Sequence, residues 1–474
     1  MPIHFFPTTR FTAATAPGGL PLLGHAPALL RRPFDFVAAL PAHGDLVRLR
    51  LGPLDAYVVC HPELVRRLLT EDRTYDRRGP VHDTFGPVRT SHPVHDTSHP
   101  VHDTGGPADE RNREVPDAGP ATCPAAAHRR RHRVLQAAFH HDRLPGHAAV
   151  TAEEVAGTTA AWRDGQVVDV PAAMHRLTSA VTARLLSAAH ERAGSPPLRE
   201  STDVIARAAG RRPVVPLPGA DRLPTPGNRR LRHARQDFET TTRQLIAHYR
   251  ATGTDHRDLL SVLLRTEDEH GRGLSDAGIH DRAAALLPAG AGTTAATLSW
   301  AWTLLAANPA VRERLHAELD TVLDGRPARH EDLPALPLTA RIVSETLRLY
   351  PPVWLLSRTA TADTRLGGHR VPAGATLLHS PYLLHRRADV FPCPDRFDPD
   401  RWLTTAHPAA GTYTPFGLGA GHCVGDAFAT TEAVLAIATI AARWTITPTP
   451  GRPVRPARSA LLTPRPFTAT LSRR

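Results

Sequence analysis

The rhythm of apolar positions changes from one end of this chain to the other. Leu46 to Leu51 and Ala56 to Cys60 alternate or run apolar on either side of Gly52-Pro53, which predicts a hairpin, and Pro62 to Thr70 follows as a helix. Several helical stretches fill Val150 to Arg265, broken between Pro213 and Asn228 by proline-rich sequence. The longest helical candidate is Asp276 to Asn308, about 50 Å at 1.5 Å per residue, with Ser275 as its N-cap and Pro309 as its stop. From Ala283 to Leu305 it is small or apolar on nearly every side, which places it inside the core. Pro288 interrupts it, removing a backbone hydrogen bond, and Ala289 and Gly290 follow with almost no side chain, so space opens beside the helix. Ala310 to Leu323 and Leu338 to Tyr350 read as amphipathic helices, the second ending at Pro351-Pro352. Val353 to Arg358 is strand-like, turns follow at Gly367-Gly368 and Pro372 to Gly374, and Ala427 to Trp444 is a mostly apolar helix. The proline-rich tail from Thr445 suits a closing hairpin.

One region has no such rhythm. Between Asp76 and Thr122 the chain is polar and rich in proline, and Pro-Val-His-Asp-Thr occurs at Pro80, Pro93 and Pro100. The irregular offsets exclude a solenoid and identify residues 80–122 as a low-complexity insertion made by duplication within a loop. Its histidines raise a metal site as an alternative, although a flexible loop rarely holds ligands in fixed geometry.

Composition narrows the class. A hydrophobic fraction of 41% and a charged fraction of 22% are ordinary for a globular enzyme and exclude global disorder. The chain contains no lysine, so all 57 basic residues counted beside 46 acidic ones are arginine, and the net charge is +11. These arginines are spread along the chain without a recognition motif, so nucleic acid is not an expected partner. Cys60, Cys123, Cys393 and Cys423 are widely spaced, which indicates neither a disulfide framework nor a zinc site and fits a cytoplasmic protein. Met1 to Leu30 is broken by Pro7, Pro17, Gly18, Gly19 and Pro21, so no signal peptide or membrane anchor is expected.

The candidate chemistry centres on Phe416-Gly417-Leu418-Gly419-Ala420-Gly421-His422-Cys423-Val424-Gly425. A cysteine at a helix start meets the positive end of the helix dipole, which predicts a lowered pKa and a thiolate able to act as nucleophile or metal ligand. Glycines let the loop turn tightly and lie flat against something large. The loop is not a dinucleotide site, because Gly417-x-Gly419 has no third glycine three residues on and no strand before it.

Phe-Gly-x-Gly-x-x-x-Cys-x-Gly resembles the haem-binding loop of the cytochrome P450 monooxygenases. The resemblance extends from about residue 16 to the end and implies one P450 domain over residues 1–474, mainly α with a smaller β-rich part (α+β), with a long central helix over the haem. It implies haem b with Cys423 as axial thiolate and metal ligand, and Phe416 beside it. Ala289-Gly290-Ala291-Gly292-Thr293-Thr294 is similar to the family's oxygen-binding groove: Thr293 stands at the position that steers protons, Thr294 follows it, and Gly292 replaces an acid. Glu345-x-x-Arg348 with Arg401 matches a buried ion network behind the haem loop, Arg396 being the weaker candidate for the second arginine. His128, His132, Arg358 and His422 are the residues implied for the haem propionates; His132 stands where arginine is usual, as does Gly421, with His422 as a neighbouring substitute. Ala289, Gly290, Val353, Trp354 and Leu355 are implied to line the substrate pocket.

The implied activity is insertion of one oxygen atom from dioxygen into an apolar small molecule. Leu349 to Leu355 and Cys423-Val424-Gly425-Asp426 are similar to bacterial enzymes that oxidise terpenes, which points to a terpenoid substrate, with fatty acids and polyketides open as alternatives. Ferredoxin and ferredoxin reductase are the implied electron donors, and a basic face docking an acidic redox partner accounts for the net charge. Two alternatives stay open at this point, a peroxide-driven oxygenase and a degenerate haem-binding protein.

Overall fold

The structure is a computed structural model that describes residues 11–76, 135–136, 138–188, 197–212, 220, 223–267, 273–404, 411–451 and 453–474. The strands are β1 (Ala13–Thr15), β2 (Leu46–Leu51), β3 (Leu54–Val59), β4 (Tyr75–Asp76), β5 (Val167–Asp169), β6 (Leu356–Ala360), β7 (Thr364–Leu366), β8 (His369–Val371), β9 (Thr376–His379), β10 (Trp444–Pro448) and β11 (Thr468–Arg473). The predicted hairpin forms: β2 and β3 pair antiparallel from Leu46↔Val59 to Leu51↔Leu54, and Gly52 takes a φ of +63° at the turn. They lie in a six-stranded sheet of order β1-β2-β3-β9-β6-β4, in which β9 runs parallel to β3 and antiparallel to β6. One apolar core belongs to this sheet, with Leu46, Val58, Leu64, Leu68, Trp354 and Leu377 buried together.

The helices that position the site are α1 (Pro62–Thr70), α2 (Leu144–Ala160), α3 (Val170–Leu186), α4 (Pro197–Gly210), α5 (Asp276–Leu287), α6 (Thr293–Ala307), α7 (Pro309–Leu323), α8 (Pro337–Leu349) and α9 (Asp426–Ala441). A second, larger core joins the buried faces of α2, α3, α6, α8 and α9. As expected, Ser275 caps α5, its hydroxyl accepting from the Gly278 N–H at 3.1 Å. The expected single helix from Asp276 to Asn308 is instead two, joined by a π-helical turn at Pro288–Gly292. Pro288 has no N–H for the ladder, and widening the turn accommodates the loss without ending the rod. The helix anticipated to Trp444 stops at Ala441; Trp444 opens β10, which pairs with β11 as the closing hairpin. The segment from Val353 becomes a strand only at Leu356.

No helix among the described residues is long and apolar enough to cross a membrane. The Pro-Val-His-Asp-Thr insertion and both His128 and His132 lie outside the described residues.

Candidate functional site

Two glycines set the path of the cysteine loop. Gly419 has a φ of +65°, and a Cβ there would lie 2.6 Å from the Leu69 carbonyl oxygen of α1. At Gly417, φ is +77° and a Cβ would meet the Gly421 carbonyl oxygen at 3.0 Å. Any other side chain would therefore lift the loop off α1 or reopen its own turn. The loop closes through the Cys423 N–H, which donates to the Phe416 carbonyl at 2.8 Å.

The Cys423 side chain is solvent-accessible, but its thiol is not the acidic one that the helix dipole predicts. Desolvation pushes the pKa above its ordinary value, the hydrogen bond from Gly425 pulls it partly back, and the Asp426 charge raises it further. Helix α9 begins only at Asp426, after the Gly425 cap, so its dipole acts at a distance while desolvation acts on the sulfur itself. An accessible sulfur in a setting that disfavours a bare thiolate suits a ligand completed by a metal cation, because coordination deprotonates a thiol outright.

The central rod carries the second half of the site. In the π-turn, the Ala291 carbonyl accepts from the Thr178 hydroxyl of α3 at 2.8 Å, so a neighbouring helix satisfies a group the widened turn releases. The Thr293 hydroxyl donates to the Ala289 carbonyl at 2.7 Å, and Ala289 is exposed although the rod around it is largely buried. The chain thus leaves an opening beside Ala289 and Thr293. Gly290 and Gly292 do not face free space: a Cβ on Gly290 would lie 3.1 Å from Thr182 Oγ1, and one on Gly292 3.2 Å from Leu461 Cδ1. Thr294, on the core side, is 3% exposed and lies beside Glu432 of α9. Glu432 is 2% exposed, neither carboxylate oxygen makes a well-formed hydrogen bond, and burial pushes its pKa to about 8 with a partial offset from Thr294.

Behind the loop, Glu345 and Arg348 on α8 are fully buried and paired at 2.8 and 2.9 Å. Arg401, not Arg396, is the second guanidinium, donating from Nε to Glu345 Oε1 at 3.0 Å. The Trp402 indole and the Asp398 N–H complete the carboxylate's partners at 3.0 Å each. Arg348 also donates to the carbonyls of His385, Pro394 and Arg396, so one side chain gathers two distant segments. His385 carries the connection onward. Burial lowers its pKa to about 3, leaving a neutral ring that donates from Nδ1 to the Arg348 carbonyl at 3.1 Å and accepts at Nε2 from the Thr414 N–H at 2.9 Å. Thr414 is two residues before Phe416, so the ion network reaches the cysteine loop through an imidazole.

The other expected residues divide. Arg358 is 8% exposed on β6 and donates to the Ser357 carbonyl. His422 lies 3.7 Å from Asp426 at the loop surface, with 44% of its side chain exposed. Val353 and Leu355 are half-buried, and Val353 bridges Leu461 in the closing segment. Trp354 is a correction. Its ring is 1% exposed, packs 4.7 Å from Phe34 and donates its N–H to the Ser459 carbonyl, so it braces the sheet core instead of walling a pocket. Leu461, Glu432 and His385 escaped sequence reading. Leu461 sits in irregular chain without period, whereas a Glu and a His amid apolar runs were the available signals for the other two.

Residues 120–471 match the sequence profile of the Cytochrome P450 family. The chain is similar to "Cyclooctatin synthase" of Streptomyces melanosporofaciens, 42% identical over 97% of this chain and 96% of that protein. It is 40% identical to "Cyclooctat-9-en-7-ol 5-monooxygenase" of the same organism, over 94% of this chain and 92% of the relative. "Pentalenene oxygenase" of Streptomyces avermitilis is 39% identical over 94% of each chain. Among solved structures, retinoic acid bound cyanobacterial CYP120A1 superposes with a TM-score of 0.77 at 22% identity, covering 96% of this chain and 98% of that one, a likeness of fold.

Proposed function

The chain belongs to the cytochrome P450 family, and from that membership we propose that it oxygenates an apolar terpenoid, holding haem b through the Cys423 thiolate. It is a haem-thiolate monooxygenase. The terpenoid reading is supported by two relatives, at 39% and 40% identity, whose names specify oxidation of pentalenene and of cyclooctat-9-en-7-ol. When bound, haem with a cysteine thiolate supplies the activation of dioxygen, the thiolate's electron density favouring O–O cleavage.

The chain's own residues supply position and protons. Cys423 presents an accessible sulfur whose loop is held by Phe416, by α1 and, through His385, by the Glu345 network. Thr293 Oγ1 donates to Ala289 O, which leaves its lone pairs to accept and pass on a proton at the opening. Gly292 brings no acid to this point. Glu432, protonated at neutral pH, holds a proton beside Thr294 on the core side of the same helix. Val353 and Leu461 are held together by a backbone bridge, and Arg358, buried on β6, would neutralise a propionate when haem is bound. Electrons come from a ferredoxin and its reductase in the cytoplasm, an acidic ferredoxin suiting the net charge of +11.

The observation that carries this reading is the open Cys423 sulfur at the end of its glycine loop. The test is the spectrum of the reduced, carbon monoxide-bound protein. A strongly red-shifted Soret band that disappears in Cys423→Ser is expected, and an unshifted band in intact wild type overturns the thiolate assignment.

A further inference from the structure

Exposed leucines gather where the chain enters the fold. Of the eight large apolar side chains exposed among the described residues, Leu20, Leu22 and Leu23 share one loop. Leu30 lies on the short helix that follows it, Ala26–Arg31, and Leu54 on the β2–β3 hairpin that the loop touches. Singly scattered apolar residues are ordinary on a surface, but five contributed by neighbouring segments call for a reason.

The loop is built to stand out. Leu20 and Gly24 exchange backbone hydrogen bonds of 2.9 Å each, which closes Pro21, Leu22 and Leu23 into a tip. The Gly52 N–H donates to the Leu23 carbonyl at 3.1 Å, the His25 N–H to the Arg50 carbonyl at 2.6 Å, and the Arg50 guanidinium to the Leu20 carbonyl at 3.1 Å. The hairpin thus holds the tip in place. At that tip Leu22 is 89% exposed and has a φ of +62°. The left-handed region is unfavourable for a side chain with a Cβ, and exposure forfeits the gain from burial. Glycine or asparagine would avoid both costs. A leucine in this place makes sense if something apolar receives it.

Charge says what receives it. No acidic residue precedes Asp35 in the chain, and Arg31 and Arg32, both exposed, form no ion pair among the described residues. Arg50 stands exposed beside Leu20, and on the hairpin Asp55 is already paired with Arg48 at 2.6 Å. Leucines on a protruding tip with an arginine fringe fit a surface that is apolar inside and negative outside, an anionic bilayer. The carbonyls of Leu20, Pro21, Leu23 and Gly24 all accept from within the fold, so the tip offers a protein partner few directed bonds, and a bilayer asks for none. No helix among the described residues could span that bilayer, so the contact is peripheral.

We propose that the Leu20–Gly24 loop docks the protein on an anionic lipid bilayer, with Leu22 and Leu23 at the acyl boundary and Arg31, Arg32 and Arg50 among the headgroups. The contact does not depend on the haem assignment. An apolar terpenoid would dissolve in the same bilayer, so docking would bring the enzyme to its substrate. The test is sedimentation of the haem-loaded full chain with vesicles of phosphatidylcholine and phosphatidylglycerol in equal parts. Wild type should co-sediment, less so at about 1 M salt and with pure phosphatidylcholine vesicles. Leu22→Asn and Leu23→Ser keep the charge and should each weaken binding by on the order of ten-fold, the effect of leaving one leucine unburied. Arg31→Gln and Arg32→Gln should each weaken it about five-fold, and only on the anionic vesicles. Leu22→Asn should melt no lower than wild type, because asparagine tolerates the left-handed backbone, and this separates lost docking from lost folding. Wild type that stays in solution beside anionic vesicles, binding unchanged in both leucine variants, or a lipid-free dimer that Leu22→Asn dissolves overturns the proposal.

Discussion

Replacing Glu345 with glutamine removes one charge from the most heavily bonded carboxylate of the site while keeping its shape. Glu345 accepts five hydrogen bonds, two from Arg348 and one each from Arg401, Trp402 and the Asp398 N–H. Its side chain and that of Arg348 are both 0% exposed, so water cannot screen what remains. The amide nitrogen of glutamine would point two hydrogens at donors, and the buried Arg348 charge would lose its counter-ion. Breaking one side of a buried pair costs about 3–5 kcal/mol, whereas an exposed pair is worth no more than about 1 kcal/mol. Urea unfolding of the apoprotein, followed by tryptophan emission, measures the loss, and Trp402 reports locally because its indole N–H bonds the same carboxylate. A loss of about 3–5 kcal/mol is expected. Adding Arg348→Met should cost less than the sum of the two single changes, because the second removes the charge the first stranded. A loss below about 1 kcal/mol, or strict additivity, would refute the account of a buried charge network.

Other consequences follow from neighbouring groups. His385 is held neutral in the fold with its pKa at about 3, below an ordinary 6.5, so its contribution to stability is present above pH 6.5 and is lost as pH falls toward 3. Unfolding free energy measured against pH should therefore drop below pH 6.5, and less steeply in His385→Asn. Glu432 acts in the opposite sense: its pKa of about 8 lies above the ordinary 4.5, so stability is full below pH 4.5 and declines as pH rises toward 8. Glu432→Gln should flatten that decline, and an unchanged slope between pH 5 and 8 would show the carboxyl to be ionised in the fold. Gly292→Ala should cost about 1–2 kcal/mol through overpacking on Leu461 Cδ1, 3.2 Å away, and become neutral or stabilising in a Leu461→Ala background as helix propensity takes over. Thermal melts of the two singles and the double give the comparison.

Where local chemistry decides a feature, the sequence was enough to read it. Pro62–Thr70, the Ser275 cap, the β2–β3 turn at Gly52 and the break at Pro288 all follow from residues within a few positions of the event. The Cys423 loop and the Glu345, Arg348 and Arg401 set were legible because each rests on a spacing that few other purposes require. Their local features stayed out of reach when a distant neighbour decided the matter. Pro288 announced an interruption, but only the Thr178 hydroxyl shows how the turn widens without ending the rod.

The sequence by itself determined the cysteine that the glycine loop carries, the tight turns at Gly417 and Gly419 and the residues of the ion network, since steric and covalent rules act within the segment that carries them. The tertiary structure decided the rest. It raised the Cys423 pKa where the dipole alone predicted a fall, because desolvation depends on everything packed around the sulfur. It turned Trp354 inward to Phe34, brought Leu461 against Gly292, and linked Arg348 to Thr414 through His385. Burial and contact are properties of the assembled chain, and no period or motif encodes which distant atom will stand opposite a given side chain.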